Sequence, residues 1–150
     1  MTADLITQAE FFLPMIPPTV TNQMHRIVAR PGQRPIVYDS DELRQAKDTL
    51  RAHLAKQFTY LTAHGYTKIK NVPIRLLVKW CFPKGQHADG EYRITKPDTD
   101  NLMKALKDIM TKIGYWEDDA LVASDISEKF WASVPGLYIR IQTVHYGVIR

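Results

Sequence analysis

Two pairs of aspartates, close together in the chain, are the residues best suited to chemistry. Asp98 and Asp100 are separated by one residue, and Asp118 and Asp119 are adjacent. Mg²⁺ prefers oxygen ligands and keeps several waters, so two or three aspartates are enough to bind it. A bound Mg²⁺ can ionise a water molecule and neutralise the charge that grows on a phosphoryl group. The two pairs therefore favour metal-dependent hydrolysis of a phosphodiester.

The stretch between the two pairs is predicted to be a helix, roughly Thr99 to Ile113. Asp98 or Asp100 can cap its first turn, and Gly114 suits the left-handed position after its end. At 100° per residue, one stripe of this helix is apolar and the opposite stripe is polar. The apolar stripe contains Leu102, Leu106, Ile109, Met110 and Ile113, and the polar stripe contains Asp100, Lys104, Lys107 and Thr111. One face of the helix should therefore be core, and the other chemistry or solvent.

The acidic pairs are part of a longer pattern with fixed spacing. It runs Asp98-Thr99-Asp100-Asn101-Leu102, then Lys104, Asp108 and Gly114-Tyr115-Trp116-Glu117-Asp118-Asp119-Ala120. This pattern resembles the RusA family of Holliday-junction resolvases. The resemblance extends more weakly to Leu13-Pro14, to Pro17-Pro18 and to the order of elements over most of the chain.

The resemblance implies an endonuclease that depends on Mg²⁺, with Mn²⁺ as another possible metal, and that cuts four-way DNA junctions. It implies catalytic roles for Asp98, Asp100, Asp119 and Lys104, the three aspartates being the metal ligands. Lys104 would then position the scissile phosphate or stabilise the transition state, although an Asp–Lys surface pair on the helix is the other reading. A homodimer is expected, because two opposed strands are cut symmetrically and a two-fold protein offers two equivalent sites.

Residues around the four catalytic candidates have less definite expected roles. Asp118 would accept a hydrogen bond beside the metal ligands, and Asn101 would orient an aspartate or complete the helix cap. Candidates for contact with DNA are Asn22, Arg26, Arg93, Lys96 and Lys107. For the residues of the loops, an ordinary solvated side chain is an equally good interpretation.

The distribution of charge agrees with a nucleic-acid substrate. The chain of 150 residues has a net charge of +4, whereas the stretch from Lys96 to Asp125 contains four lysines and seven acids, a balance of −3. The remainder therefore sums to +7. A basic surface attracts phosphates, and a cation between carboxylates and phosphate removes their repulsion. A mildly basic soluble protein without such a partner is the alternative.

Hydrophobic patterns predict a single domain, 1–150, of the α/β (α+β) class. The expected order is β-α-β-α-β-β, with a mixed four-stranded sheet packed against two main helices. The predicted elements are a strand Glu10–Leu13, a helix from a capping box at Asp39–Glu42 to Gly65, a strand Val72–Phe82, the helix of the acidic motif, and strands Leu121–Trp131 and Leu137–His145. The remaining segments are expected to be a loosely held end (Met1–Ala9), an irregular stretch (Thr19–Pro35) and a mobile loop (Pro83–Thr95).

Several classes of protein are excluded or disfavoured. Cys81 is the only cysteine, so the chain cannot form an internal disulfide or an all-cysteine zinc site. No signal peptide or membrane span is evident, so we expect no membrane partner and a cytoplasmic location in a bacterium or a phage-infected host. A branched-DNA-binding protein without catalysis remains open. A nucleotide-sugar transferase with a D-x-D metal site is disfavoured, because 150 residues leave little room for two substrates.

Overall fold

The computed structural model describes residues 1–21 and 25–147, and for residues 25–26 and 36–38 it describes the backbone alone. Six strands, two helices and one short 3₁₀ turn are present in this part of the chain. They are β1 (Thr2–Pro14), β2 (His25–Val28), β3 (Ile36–Asp39), α1 (Asp41–Ala63), β4 (Ile74–Pro83), α2 (Thr99–Ile113), the 3₁₀ turn (Asp119–Leu121), β5 (Val122–Ala132) and β6 (Gly136–Gly147).

The main sheet has the strand order β1-β6-β4-β5. Strand β4 pairs with β5 in parallel, whereas β6 pairs antiparallel with both β1 and β4. The parallel pair is connected through α2, as parallel neighbours require a crossover. The predicted mixed four-stranded sheet with two helices, in the order β-α-β-α-β-β, is therefore confirmed.

One face of this sheet and both helices enclose the hydrophobic core. The register places Leu76 opposite Ile141 and Val78 opposite Ile139, so alternate residues of β4 and β6 point to the same side. Leu54 of α1 and Leu106 of α2 are fully buried against them. The apolar stripe of α2 is thus core, and its polar stripe is left at the surface near β5.

Two segments are more regular than the sequence predicted. The expected loose end is wrong, because residues 2–9 belong to β1, which pairs with β6 from Thr2↔Gly147 to Pro14↔Gly136. The expected irregular stretch contains β2, which pairs with β3 in a separate two-stranded sheet. Residues 2–8 of β1 have exposed side chains and lack the alternation of polar and apolar residues that marks a half-buried strand, so no local pattern indicated them.

The helix ends follow local chemistry. Within the predicted capping box, the side chain of Ser40 caps α1 by accepting a hydrogen bond from Leu43 N at 3.1 Å. Helix α2 has the predicted bounds, and Gly114 ends it in the left-handed conformation with φ 114°. Asp98 occupies its N-cap position without a side-chain hydrogen bond to the first turn. Within the described residues, no helix is both long and apolar enough to cross a membrane.

Gly136, at the start of β6, is expected to tolerate no larger residue. A Cβ at this position would lie 2.5 Å from the backbone oxygen of Leu13 and would also collide with the ring of Phe12. Because the backbone of the paired strand β1 cannot move away easily, we expect Gly136→Ala to reduce the free energy of unfolding by about 1–3 kcal/mol. Urea unfolding measures the change, with Ser133→Ala in the exposed turn as the control; equal stability of the two variants would contradict the expected clash.

Candidate active site

A cavity of about 550 Å³ lies between the polar face of α2 and the beginning of β5. Most of the residues that line it are charged or polar. They are Thr99, Asp100, Met103, Lys104, Lys107, Asp108, Asp119, Asp125 and Ser127. Helix α2 supplies the first six because its polar stripe faces away from the core, and β5 and the turn before it supply the others. The structure thus brings the predicted Asp100, Lys104, Lys107 and Asp119 to one cavity.

Asp119 has the most closely defined surroundings of these carboxylates. Its Oδ1 accepts a hydrogen bond from the Thr111 hydroxyl, and the indole Nε1 of Trp116 lies 3.5 Å from the same oxygen. The same Nε1 donates to Thr111 Oγ1 at 2.7 Å, and Trp116 is fully buried. A rigid indole and a helix residue therefore fix the orientation of this carboxylate.

Asp108 also lines the cavity, although it was not predicted as a site residue. Its pKa is raised, first by burial and then by a hydrogen bond and charge repulsion with Asp119, while Lys112 and Lys104 act in the opposite direction. Two carboxyl groups in contact repel each other when both are ionised, and a shared proton or a cation relieves that repulsion. Asp108 lies two turns after Asp100 and one turn after Lys104, and this helical spacing was the signal available in the sequence.

An ion pair across the cavity joins α2 to β5. Lys107 Nζ lies 2.6 Å from Asp125 Oδ2, and both side chains are partly exposed. Lys104, one turn nearer the start of α2, is exposed at the cavity wall. Asp125 was not selected from the sequence as a site residue, because only the pairing of β5 with β4 places it opposite α2.

Three predicted residues lie beside the cavity and not in its lining. Asp98 accepts hydrogen bonds from Lys96 Nζ at 2.9 and 2.8 Å, so its carboxylate is engaged at the start of α2. Asp118 Oδ1 accepts a hydrogen bond from Ala120 N at 2.9 Å and caps the 3₁₀ turn that carries Asp119. Asn101 is half-buried in the first turn of α2.

The other candidates for DNA contact are placed differently. The guanidinium of Arg93 lies over the rings of Phe82 and Trp131, with centroid distances of 4.3 and 4.6 Å. Arg26 is in β2, but its side chain is outside the described residues, as is the whole of Asn22. Lys96 is exposed and forms its ion pair with Asp98.

The donor atoms suit a hard divalent cation. Four carboxylates line the cavity, and oxygen ligands are those that Mg²⁺ and Mn²⁺ favour. Within residues 1–21 and 25–147, however, no three His, Cys, Asp or Glu side chains are grouped closely enough to hold a metal ion. Mg²⁺ is commonly held by one or two carboxylates, with water and substrate phosphate completing its ligands. The arrangement fits that mode of binding.

The contact between Asp108 and Asp119 predicts a pH-dependent stability of the protein without metal. A carboxyl whose pKa is raised on folding stabilises the fold fully below its unfolded pKa, about 3.9, and that stability is lost as the pH rises through the folded pKa. We therefore expect the stability of Asp108→Asn to fall less steeply than that of the wild type as the pH rises above about 4. Thermal unfolding in a chelator measures this, with Asp48→Asn on α1 as the control; parallel pH curves for wild type and Asp108→Asn would contradict the prediction.

Comparison with known proteins confirms the family that the sequence motif resembles. A family model described as Endodeoxyribonuclease RusA matches residues 16–142. A protein of Lactococcus phage r1t, Crossover junction endodeoxyribonuclease rusA, is 41% identical over 54 residues, which are 35% of this chain and 41% of that relative. The match therefore spans about two fifths of the relative's length. Since the family model covers most of the chain, the protein belongs to the RusA family of endodeoxyribonucleases.

Proposed function

We propose that the protein is a metal-dependent endodeoxyribonuclease that resolves four-way DNA junctions by paired hydrolysis of phosphodiesters. The observation that supports this most directly is the single cavity in which Asp100, Lys104 and Asp119 meet, in a chain of the RusA family. The setting proposed is the cytoplasm of a bacterium or of a phage-infected host cell.

The residues divide into those that hold a cation and those that handle the substrate. Asp100 and Asp119 are the proposed metal ligands, together with Asp98 once its carboxylate is released from Lys96. Mg²⁺, or Mn²⁺ in its place, would supply an ionised water and neutralise charge on the phosphoryl group. Lys104 extends from the same face of α2, where its ammonium can bind the phosphate that enters the cavity.

Positive charge around the cavity supports a DNA partner. Lys107 lines the cavity and Lys96 is exposed shortly before α2, so both can contact phosphates of the strand being cut. Asn22, Arg26 and Arg93 are proposed as further contacts, and Asn101 and Asp118 as supports of the metal ligands. A homodimer is proposed because a junction presents two equivalent strands to be cut.

A labelled four-way junction, compared with linear duplex of the same sequence, tests the proposed function. Cleavage and binding are scored separately in Mg²⁺, in Mn²⁺ and in a chelator, and light scattering gives the oligomeric state. Symmetric nicks that require the cation are expected on the junction alone. Binding of the junction without cleavage under every condition would instead favour a non-catalytic branched-DNA-binding protein, the alternative suggested by the absence of a three-carboxylate group within the described residues.

A further inference from the structure

Three successive backbone carbonyls, just before α2, are each bound by a cationic side chain. Lys129 Nζ donates to the carbonyl oxygen of Thr95 at 2.7 Å and to that of Pro97 at 2.8 Å. Arg93 donates from its Nη2 to the carbonyl oxygen of Lys96, which lies between them. Hydrogen bonds from charged donors are stronger than neutral ones and fix geometry more firmly. We call this pair, Arg93 and Lys129, the carbonyl clamp.

Arg93 is itself held in place on several sides. Its guanidinium lies over the rings of Phe82 and Trp131, which are paired on neighbouring strands, and its Nε donates to Thr95 Oγ1 at 3.1 Å. Its backbone nitrogen donates to Lys129 O at 3.0 Å, so the two cationic residues are adjacent across the edge of β5. His87 stacks on Trp131 with ring centroids 4.3 Å apart and planes 3° from parallel. These contacts orient the guanidinium so that its Nη2 binds the carbonyl oxygen of Lys96.

The clamped segment leads directly into the acidic motif. Pro97 is buried, and the next residue, Asp98, is the N-cap of α2, with its carbonyl accepting from Leu102 N at 3.1 Å. Lys129 projects from β5 on the same face as Asp125 and Ser127, which form the opposite wall of the cavity. The clamp therefore joins the start of α2 to the strand across the cavity, at the point where Asp98 and Asp100 must be aligned with Asp119.

We infer that Lys129 and Arg93 are positioning residues that hold the acidic start of α2 against β5. The main role of their charged groups is to bind the three backbone carbonyls, and contact with DNA is secondary. The clamp itself is seen in the protein without metal or substrate. Only its expected effect on catalysis rests on the proposed nuclease function. A loosened segment would leave the carboxylates present but misaligned, which weakens metal binding and turnover.

Hydrogen exchange of the metal-free protein tests the clamp without any assumption about activity. Lys129→Met removes the donor but keeps an apolar stem, and Lys56→Met on the exposed surface of α1 is the matched control. We expect amides at residues 98–103 to exchange at least about tenfold faster in Lys129→Met, with β4 and β6 unchanged. Lys129→Arg keeps donors for both carbonyls and is expected to retain the protection. Wild-type exchange in Lys129→Met overturns the inference; if that variant does not fold, Arg93→Gln, which removes the middle contact, is subject to the same criterion.

Cleavage of a junction at increasing Mg²⁺ then separates positioning from DNA contact. For Lys129→Met we expect the Mg²⁺ concentration at half-maximal rate to rise by roughly tenfold, with the junction dissociation constant within about twofold of that for Lys56→Met. Loss of junction affinity with an unchanged Mg²⁺ requirement would make Lys129 a phosphate contact and overturn the inference. Faster exchange in Lys129→Met, together with a wild-type protein that does not cleave the junction, would uphold the clamp and reject the proposed nuclease function instead.

Discussion

Asp100→Asn is expected to lower the rate of junction cleavage by at least about 10³-fold while leaving junction binding intact. Asp100 is exposed at the cavity wall, so the substitution removes a negative charge without disturbing the core. An amide is a poor ligand for Mg²⁺ compared with a carboxylate, and the charge on the phosphoryl group would no longer be neutralised. Single-turnover cleavage and equilibrium binding of the same labelled junction measure the two quantities.

Two comparisons make that result specific. Asp48→Asn makes the same chemical change on α1, where Asp48 pairs with Arg51 away from the cavity, and is expected to cleave at the wild-type rate. Asp119→Asn should resemble Asp100→Asn, because its amide oxygen can still accept from Thr111 while its charge is lost. Normal cleavage by either cavity variant would remove that aspartate from the proposed metal ligands.

Lys104→Met is expected to reduce the turnover of bound junction by about 10²–10³-fold, the loss typical of one electrostatic contact made in the transition state. The lysine lies on the same face of α2 as Asp100, and its charge acts on Asp108, one turn further along the helix. Substitution by methionine keeps the length and apolar stem of the side chain. Single-turnover rates at saturating junction measure the effect.

The competing explanation for Lys104 is a simple surface ion pair, which contributes little. Under that explanation Lys104→Met would cleave as Lys56→Met does, and this outcome would contradict a catalytic role. A third pattern, weaker binding with unchanged turnover of the bound junction, would make Lys104 a contact to the DNA backbone, because it would have stabilised ground state and transition state equally.

The sequence predicted those parts of the fold that local patterns determine. Helix α2 was placed between its observed bounds, because its apolar stripe, its acidic start and Gly114 all indicate the same element. The first residues of β1 and the pairing of β2 with β3 were not predicted. The first residues of β1 are held by their pairing with β6, a strand distant in sequence, as between Thr2 and Gly147, and their exposed side chains carry no periodic signal.

The candidate site, too, could be predicted only where a local sequence pattern determined it. Helical spacing was enough to predict that Asp100, Lys104 and Lys107 share a face, and the cavity confirms that they do. The positions of Asp108 and Asp125 relative to Asp119 depend on how α2 packs against β5, which no pattern within either element determines. Arg93 illustrates this clearly: its charge made it a candidate for contact with DNA, and only the fold shows that its guanidinium also lies over two aromatic rings and binds a backbone carbonyl.

The crossover from β4 through α2 to β5 has a consequence for how such proteins diversify. Every residue that lines the cavity falls between Thr99 and Ser127, so one short block of coding sequence specifies the whole lining. Recombination between two related genes could exchange that block in a single event, while β1 and β6 stayed with the recipient. In the folded protein, the exchanged block would be positioned correctly only if the recipient carried the carbonyl clamp. Its residues, Arg93 and Lys129, lie just outside the two ends of the block. Residues outside the cavity lining would thus decide which acidic sites a gene can acquire.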